Sequence, residues 1–252
     1  MLIAYTRAVS RTLAQCELTH LERQPLDVER AAAEHEAYEQ LLTRLGAMVR
    51  HLPPAPDLPD AVFVEDTAIV LDEIAVITRP GAPSRRPETR SVEIALGAHR
   101  PLAHIRHPAT MDGGDVLVAD RRIFVGLSSR TNREAVDQLA HAVIPFGYEV
   151  IPIHFSGCLH LKSAATRVAK NLLLLNPAWV DPEAFAGHRA VCVDATEPHA
   201  ANALRIGDTV IHPSQFPLTR ARLEAAGLLV APVAMAELAK AEAGVTCCSI
   251  LL

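Results

Sequence analysis

Four short groups of polar residues in this 252-residue sequence carry side chains that could do chemistry together. They are the pair Glu65–Asp66, the string Asp112–Gly113–Gly114–Asp115, the imidazole of His160 and the thiol of Cys247. A thiolate is a strong nucleophile once a neighbouring cation, or an approaching cationic substrate, lowers the pKa of its thiol. A histidine beside a carboxylate can protonate a leaving amine and later deprotonate water. These residue types predict a hydrolase in which Cys247 attacks a substrate carbon.

Each group has a simpler explanation when it is taken alone. A single cysteine is more often an inert small hydrophobe than a nucleophile. A single histidine is usually a surface residue or a satisfied core residue, and two glycines between aspartates usually form a turn. The shared position of the four groups in a repeat, described below, is what favours a common site.

The number of carboxylates points to a cationic substrate. Carboxylates bind a planar guanidinium through paired, charge-assisted hydrogen bonds, so they predict an arginine-like substrate. Arg85 and Arg86 lie in the loop 79–86, and Arg130 lies in the loop 128–132. An isolated exposed arginine usually serves solubility, but two such loops on one rim could instead bind an α-carboxylate.

The elements that must position these residues read as a repeat. Alternating apolar segments around polar turns predict four β-hairpins, at Thr67–Arg79, Asp115–Leu127, Ala165–Leu175 and Ala203–Ile211. Helix-like periodicity follows each hairpin, and the heads of the hairpins, near residues 66, 115, 163 and 202, recur 39 to 49 residues apart. One further step of 45 residues reaches a last strand, Cys247–Leu252. That strand has no partner downstream, so we expect Leu2–Tyr5 to pair with it.

This pattern predicts an α/β fold: a ring of five hairpin-plus-helix units, closed by the N- and C-terminal strands, as one domain over residues 1–252. Closure would protect the edges that an open sheet exposes, although an ordinary open α/β sheet is the alternative. We expect the longest helix at Leu26–Leu45, a helix capped by Thr131 with Glu134, and another that begins at Thr219. Equivalent positions in a ring face a common axis, so the four polar groups should converge.

Composition narrows the class of partner. The net charge of −5 and pI of about 6.2 argue against nucleic acid, which needs a clustered basic face. The longest aliphatic run, Leu172–Leu175, is far shorter than the roughly 20 residues of a membrane helix. Met1–Arg11 has no signal-peptide pattern, and five scattered cysteines suit reduced thiols, so we expect a cytoplasmic protein. A small molecule is the expected partner.

Six strings of the sequence resemble those of the dimethylarginine dimethylaminohydrolase family, in the same order and over nearly the whole chain. They are FVEDTA (63–68), ITRPGAPSRR (77–86), MDGGDVL (111–117), FVGLSSRTN (124–132), LHLKS (159–163) and GVTCCS (244–249). This family belongs to the guanidino-group-modifying superfamily, with arginine deiminases and amidinotransferases. The resemblance implies the family's five-bladed α/β propeller, the pentein fold, in agreement with the ring.

The resemblance also implies roles for particular residues. Cys247 would be the nucleophile, His160 the general acid and base, and Asp112 its carboxylate partner. The guanidinium would be held by Asp66, helped by Glu65 and Asp60, and the substrate carboxylate by Arg85 and Arg130. Leu18 would lie in a lid whose backbone is near the α-amino group, and Phe63 would line the pocket.

The activity that the resemblance implies is hydrolysis of Nω-methylated arginines to citrulline and methylamine or dimethylamine, through a thiouronium adduct on Cys247. No metal or organic cofactor is expected, and the protein would be a monomer or a homodimer. Arginine deiminases carry an Asp two residues after the catalytic His, where this chain has Lys162, which favours methylated arginine. The alternatives are another guanidino or ureido substrate, such as arginine or citrulline, and a non-catalytic arginine-binding protein on the same fold.

Overall fold

The computed structural model describes all 252 residues, which form fifteen β-strands and six α-helices. In chain order the strands are β1 (Ile3–Thr6), β2 (Met48–His51), β3 (Ala68–Val70), β4 (Ala75–Ile77), β5 (Leu102–His104), β6 (Val116–Ala119), β7 (Arg122–Leu127), β8 (Glu149–His154), β9 (Ala165–Ala169), β10 (Leu172–Leu175), β11 (Arg189–Cys192), β12 (Leu204–Ile206), β13 (Thr209–Pro213), β14 (Leu229–Val233) and β15 (Ile250–Leu251). The helices are α1 (Val28–Arg44), α2 (Thr89–Gly97), α3 (Arg133–Val143), α4 (Leu161–Ala164), α5 (Pro217–Ala225) and α6 (Ala236–Ala239). Short 3₁₀ turns occupy Leu13–Gln15, Val64–Thr67, Pro83–Glu88, Gly113–Asp115, Ile144–Phe146 and Pro182–Phe185.

The strands form five three-stranded sheets of one topology. In each sheet the first and second strands pair antiparallel, and the third strand pairs parallel with the second. A parallel pair needs a crossover connection, which α2, α3, α5 and α1 supply in four units and the turn Pro182–Phe185 supplies in the unit β9–β11. The five-unit α/β propeller predicted from the repeat is confirmed.

The fifth sheet combines the two ends of the chain. β15 pairs antiparallel with β1, with Ala4 opposite Leu251 and Tyr5 opposite Ile250. Helix α1 packs beneath this sheet, where the Tyr38 hydroxyl and the Ser249 hydroxyl lie 2.7 Å apart and share a hydrogen bond. The predicted pairing of the terminal strands is confirmed, and it supports our interpretation of residues 1–252 as one domain.

The first strands of all five units surround a central cavity of about 550 Å³. The cavity extends from the residues that precede those strands, such as Glu65 and Thr246, to the hairpin turns, such as the one at Lys170. Aliphatic side chains fill the space between the sheets and their helices, as the low aromatic content of 4% predicts. None of the helices combines the length and apolar character that a bilayer span requires.

Three local predictions are wrong. The cap of α3 is Asn132, whose side chain accepts from the Ala135 amide, and not Thr131, whose hydroxyl accepts from the Asp112 amide instead. Helix α5 begins at Pro217 and not at Thr219, since proline suits the first helical position. The third unit has only the 3₁₀ turn Pro182–Phe185 where a helix was expected, because prolines interrupt this segment.

Candidate active site

The residues that precede the first strand of each unit gather at one end of the ring. Asp66 lies in the 3₁₀ turn before β3, Asp112 precedes the turn before β6, and His160 caps α4 just before β9. Cys247 precedes β15, and its carbonyl accepts a hydrogen bond of 3.1 Å from the Glu65 amide. The ring therefore brings the four predicted groups to one place.

His160 lies between two buried carboxylates. Its Nε2 is 3.1 Å from Asp112 Oδ2, and its Nδ1 is 3.9 Å from Asp66 Oδ1. Burial alone lowers the pKa of the imidazole, but the negative charges of Asp66, Asp115 and Asp112 outweigh it and raise this pKa to about 9. The imidazole is therefore protonated at neutral pH, which is the form that can give a proton to a leaving amine.

The backbone of neighbouring loops fixes Asp112. Its Oδ1 accepts from the Gly81 amide at 2.9 Å, and its own amide donates to the Thr131 hydroxyl at 3.2 Å. A carboxylate held in this way can orient His160 without moving itself.

Gly114 shows why the string between the aspartates contains glycine. A Cβ at this position would lie 2.6 Å from His160 Nδ1 and 2.8 Å from Asp66 Oδ1. The amide of Gly114 meanwhile donates to Asp66 Oδ1 at 2.9 Å. Glycine is needed here because the imidazole and the carboxylate both approach the backbone closely.

Cys247 is buried, which favours the neutral form of its thiol. Burial, followed by the charges of Glu65 and Asp66, raises the pKa of this thiol to about 12. Two groups act in the opposite direction: the Gly244 amide, which donates to Sγ at 3.4 Å, and the ammonium of Lys162. A cation placed among these carboxylates would lower the pKa further, so the site suits a cationic substrate.

Arg85 is bound to carboxylates of the protein. Its Nη1 donates to Asp66 Oδ2 at 2.6 Å, and its Nε and Nη2 donate to the two oxygens of Glu88 at 3.2 and 2.9 Å. Burial raises the pKa of Asp66, but His160 and then Arg85 outweigh it and lower this pKa to about 2. Arg85 therefore keeps Asp66 ionised, and its predicted contact with a substrate carboxylate stays a prediction.

Arg130 has donors that face the predicted lid. Its Nη1 is 3.8 Å from Asp112 Oδ2, and its Nη2 donates to the Thr19 hydroxyl at 3.3 Å. The guanidinium thus lies between the acid–base pair and the lid, where a substrate carboxylate could replace the contact to Thr19.

The segment around Leu18 covers the site. Leu18 packs on the hydrophobic cluster that contains Phe63 and Cys247, and its carbonyl accepts no hydrogen bond within the chain. The carboxylate of Asp60 accepts from the Glu17 amide at 3.1 Å and so anchors the start of this segment. The predicted neighbourhood of Leu18, Phe63 and Asp60 thus exists, while their contacts with a substrate stay predictions.

Glu65 joins two parts of the site. Its Oε1 accepts from Lys162 Nζ at 2.5 Å, and its Oε2 accepts from the Thr246 hydroxyl at 2.6 Å. Lys162 therefore neutralises Glu65 and does not reach toward a substrate. The position two residues after His160 is a lysine and not a second carboxylate that could bind the unsubstituted amino group of arginine.

Three of these residues come close enough together to share a metal ion, because the ligand atoms of Asp66, Asp112 and His160 lie within 4.8 Å of one another. The two carboxylates already bind Arg85 and backbone amides. Since His160 Nε2 pairs directly with Asp112 Oδ2 at 3.1 Å, we interpret the group as an acid–base cluster.

A cavity of about 320 Å³ lies beside this cluster. Residues His20, Leu21, Glu22 and Gln24, next to the predicted lid residue Leu18, form one wall, and Leu159, Asn202 and Gly244 form part of the opposite one. The side chains of Asp66, Asp112, His160 and Cys247 do not line this cavity. Its size falls in the range that small-molecule sites use, roughly 300–1,000 Å³.

Several residues of the site were not assigned a role from the sequence. Glu88 could have been recognised, since an acidic residue three positions after Arg85 is a common ion-pair spacing. Asn202 stands at the start of the fourth hairpin, so the repeat located it, but an amide alone indicates no chemistry. Glu242 gave no signal, because its partners lie more than 200 residues away in sequence.

Comparisons with known proteins show which family the chain resembles. The family model for eukaryotic N,N-dimethylarginine dimethylhydrolase matches residues 18–184. The N(G),N(G)-dimethylarginine dimethylaminohydrolase of Streptomyces coelicolor is 37% identical, over 99% of this chain and 96% of its own length. The Pseudomonas aeruginosa enzyme of the same name is 31% identical, over 89% of each chain. A solved structure of a mutant of the Pseudomonas aeruginosa dimethylarginine dimethylaminohydrolase, complexed with citrulline, superposes with a TM-score of 0.94 and 30% sequence identity. The match covers 99% of this chain and 98% of that one.

The fold is a five-unit α/β propeller, the pentein fold, with a cysteine, a histidine and carboxylates at one end of the ring. The chain belongs to the dimethylarginine dimethylaminohydrolase family.

Proposed function

We propose that this protein is a dimethylargininase, which hydrolyses Nω-methylated arginines to citrulline and methylamine or dimethylamine. The observation that carries the proposal is the position of His160, held between Asp112 and Asp66 at the same end of the ring as the Cys247 thiol. Family membership supports the substrate class.

The substrate would be bound at both ends. Asp66 keeps its negative charge through His160 and Arg85 and would face a guanidinium placed beside His160. Arg130 would bind the α-carboxylate, and the unpaired Leu18 carbonyl would accept from the α-amino group. Arg85 would share the α-carboxylate with Arg130, in addition to its contact with Asp66.

The arriving guanidinium lowers the pKa of the Cys247 thiol, which gives its proton to solvent, and the resulting thiolate forms a C–S bond with the guanidinium carbon. The C–N bond to the methylated nitrogen then breaks as His160 gives that nitrogen its proton, and the amine leaves. Neutral His160 next takes a proton from water, whose oxygen attacks the thiouronium carbon. The C–S bond breaks as the new hydroxyl group loses its proton to solvent, so that neutral citrulline is released and the thiolate is regenerated.

The Glu65–Lys162 ion pair supports methylated arginine over arginine. The substituted nitrogen of the substrate carries fewer N–H donors, so it needs fewer acceptors, and the nearest additional carboxylate is already neutralised.

A substrate panel tests the proposal. Asymmetric dimethylarginine, monomethylarginine, arginine and citrulline are compared by following citrulline together with dimethylamine, methylamine or ammonia. We expect the methylated arginines to be the best substrates and Cys247→Ser to abolish turnover, while Cys248→Ser keeps it. Ammonia release from arginine as the fastest reaction would reject the proposal.

A further inference from the structure

Asn202 is a buried amide whose polar atoms all point at the segment that carries the nucleophile or at the loop of His160. Its Oδ1 accepts from the Thr246 amide at 3.0 Å, and its Nδ2 donates to the Thr246 hydroxyl at 3.0 Å. The same Nδ2 also donates to the Lys162 carbonyl at 3.1 Å. One side chain thus ties the residue before Cys247 to the residue two positions after His160.

These contacts belong to a closed ring of hydrogen bonds, called the circuit below, that joins Asn202, Lys162, Glu65 and Thr246. The Lys162 carbonyl accepts a hydrogen bond from Asn202, and the Lys162 ammonium donates to one oxygen of Glu65. The other oxygen of Glu65 accepts from the Thr246 hydroxyl at 2.6 Å. The Thr246 oxygen accepts from Asn202, so its single proton is directed to Glu65. The circuit fixes the segment that leads to Cys247 through side chains that are not among the reacting groups.

Asn202 also supports the amide that faces the sulfur. A Cβ on Gly244 would collide with the Asn202 side chain, so the backbone of Gly244 lies directly against it. The amide of Gly244 donates to Cys247 Sγ at 3.4 Å, and Cys247 donates its own amide to the Gly244 carbonyl at 3.2 Å. A shift of Asn202 would therefore move the donor that faces the nucleophile.

We propose that Asn202 is the positioning residue for the nucleophile: it holds Thr246 by both of its polar groups and supports the Gly244 amide that donates to the Cys247 sulfur. Asn202 does not touch the reacting atoms in this scheme. It acts through Thr246 and Gly244, and the proposal rests on the proposed function only where turnover is measured.

Removal of the amide should change both the placement and the ionisation of Cys247. The charged groups that act on this thiol are Glu65 and Asp66, which disfavour the thiolate, and Lys162, which favours it, as the Gly244 amide does. Loss of Asn202 frees Thr246 and lets Gly244 move, so the thiolate loses a hydrogen-bond donor. The pKa of the thiol should then rise.

The test compares Asn202→Ala and Asn202→Asp with wild type and with Asn176→Ala. Asn176 is the matched control, since it is equally buried and hydrogen-bonded by its amide, to the Pro198 carbonyl and the Ala178 amide, in the third unit. Alkylation by iodoacetamide is followed by mass spectrometry on the tryptic peptide 241–252, where fragment ions separate Cys247 from Cys248. Thermal unfolding of every variant reports its stability.

For both Asn202 variants we expect kcat for dimethylarginine to fall about a hundredfold, the cost of a misplacement of about 1 Å, with KM changed less than about threefold. Alkylation of Cys247 should be slower at each pH, and its rise should move to higher pH. Asn176→Ala should lose comparable thermal stability and keep the wild-type kcat and alkylation profile.

A folded Asn202→Ala protein with the wild-type kcat and alkylation profile would overturn the proposal. The same loss of kcat in Asn176→Ala would also overturn it, because the effect would then come from general destabilisation. Thr246→Val provides a second route: the double variant with Asn202→Ala should lose less than the product of the two single effects, and fully multiplicative losses would contradict the coupling. The alkylation measurements need no substrate, so they decide the role of Asn202 even if dimethylarginine proves not to be turned over.

Discussion

At the scale of single residues, the site contains ionisable side chains that burial alone would keep neutral. His160 would be neutral in an apolar interior, but the carboxylates around it keep it protonated. Asp66 would be neutral as well, but His160 and Arg85 keep it ionised. The Cys247 thiol faces only acidic neighbours and one lysine, and it remains neutral. A guanidinium bound among these carboxylates would add a positive charge that lowers the pKa of the thiol.

This arrangement predicts how stability depends on pH. The pKa of His160 is about 9 in the folded protein and about 6.5 in the unfolded chain, so its contribution is complete below pH 6.5 and is lost as pH rises to about 9. The contribution is on the order of 3 kcal/mol, at 1.36 kcal/mol for each unit of pKa.

Urea unfolding of His160→Asn should show a correspondingly smaller decrease in the free energy of unfolding between pH 6.5 and 9. The exposed His154 provides the control. If His154→Asn and His160→Asn behave alike, His160 is not held protonated by its neighbours.

At the scale of elements, the lid is anchored by a carboxylate outside the acid–base cluster. Glu242 accepts from the consecutive amides of Thr19, His20 and Leu21, at 3.1, 2.5 and 2.6 Å. Its own φ is 59°, a left-handed conformation that costs a non-glycine residue roughly 1–2 kcal/mol. The chain accepts this strain at the position where the side chain must turn toward the lid.

Glu242→Gln should therefore weaken the contact between residue 242 and the predicted lid. The substitution does not change the cost of the left-handed backbone conformation at this position. We expect KM for dimethylarginine to rise several-fold with a smaller change in kcat, and limited proteolysis within residues 17–24 to become faster. Glu29→Gln removes the same charge from an exposed residue of α1 that makes no side-chain hydrogen bond and does not line the cavity, and it should leave both measurements at their wild-type values. An unchanged KM and proteolysis rate in Glu242→Gln would show that this contact does not hold the lid.

At the scale of the whole molecule, the repeat explains how much the sequence could predict. The hairpins were recognisable because their apolar segments alternate with polar turns, and equal spacing then placed Asp66, Asp112, His160 and Cys247 around one axis. The third strand of each unit was missed, because segments such as Met48–His51 are mostly exposed and carry no clear alternation. The binding of Arg85 to Asp66 and Glu88 was also missed, since the sequence shows that an arginine is present but not which carboxylate it meets.

The central claim is that Cys247 forms a covalent bond to the guanidinium carbon of a methylated arginine. The most direct measurement is a mass spectrum of the protein quenched in acid during turnover of dimethylarginine, with fragmentation of the tryptic peptide 241–252. We predict a mass increase equal to the substrate less dimethylamine, located on Cys247 and absent from Cys247→Ser. An adduct located on Cys248, or rapid citrulline formation by Cys247→Ser, would contradict the account.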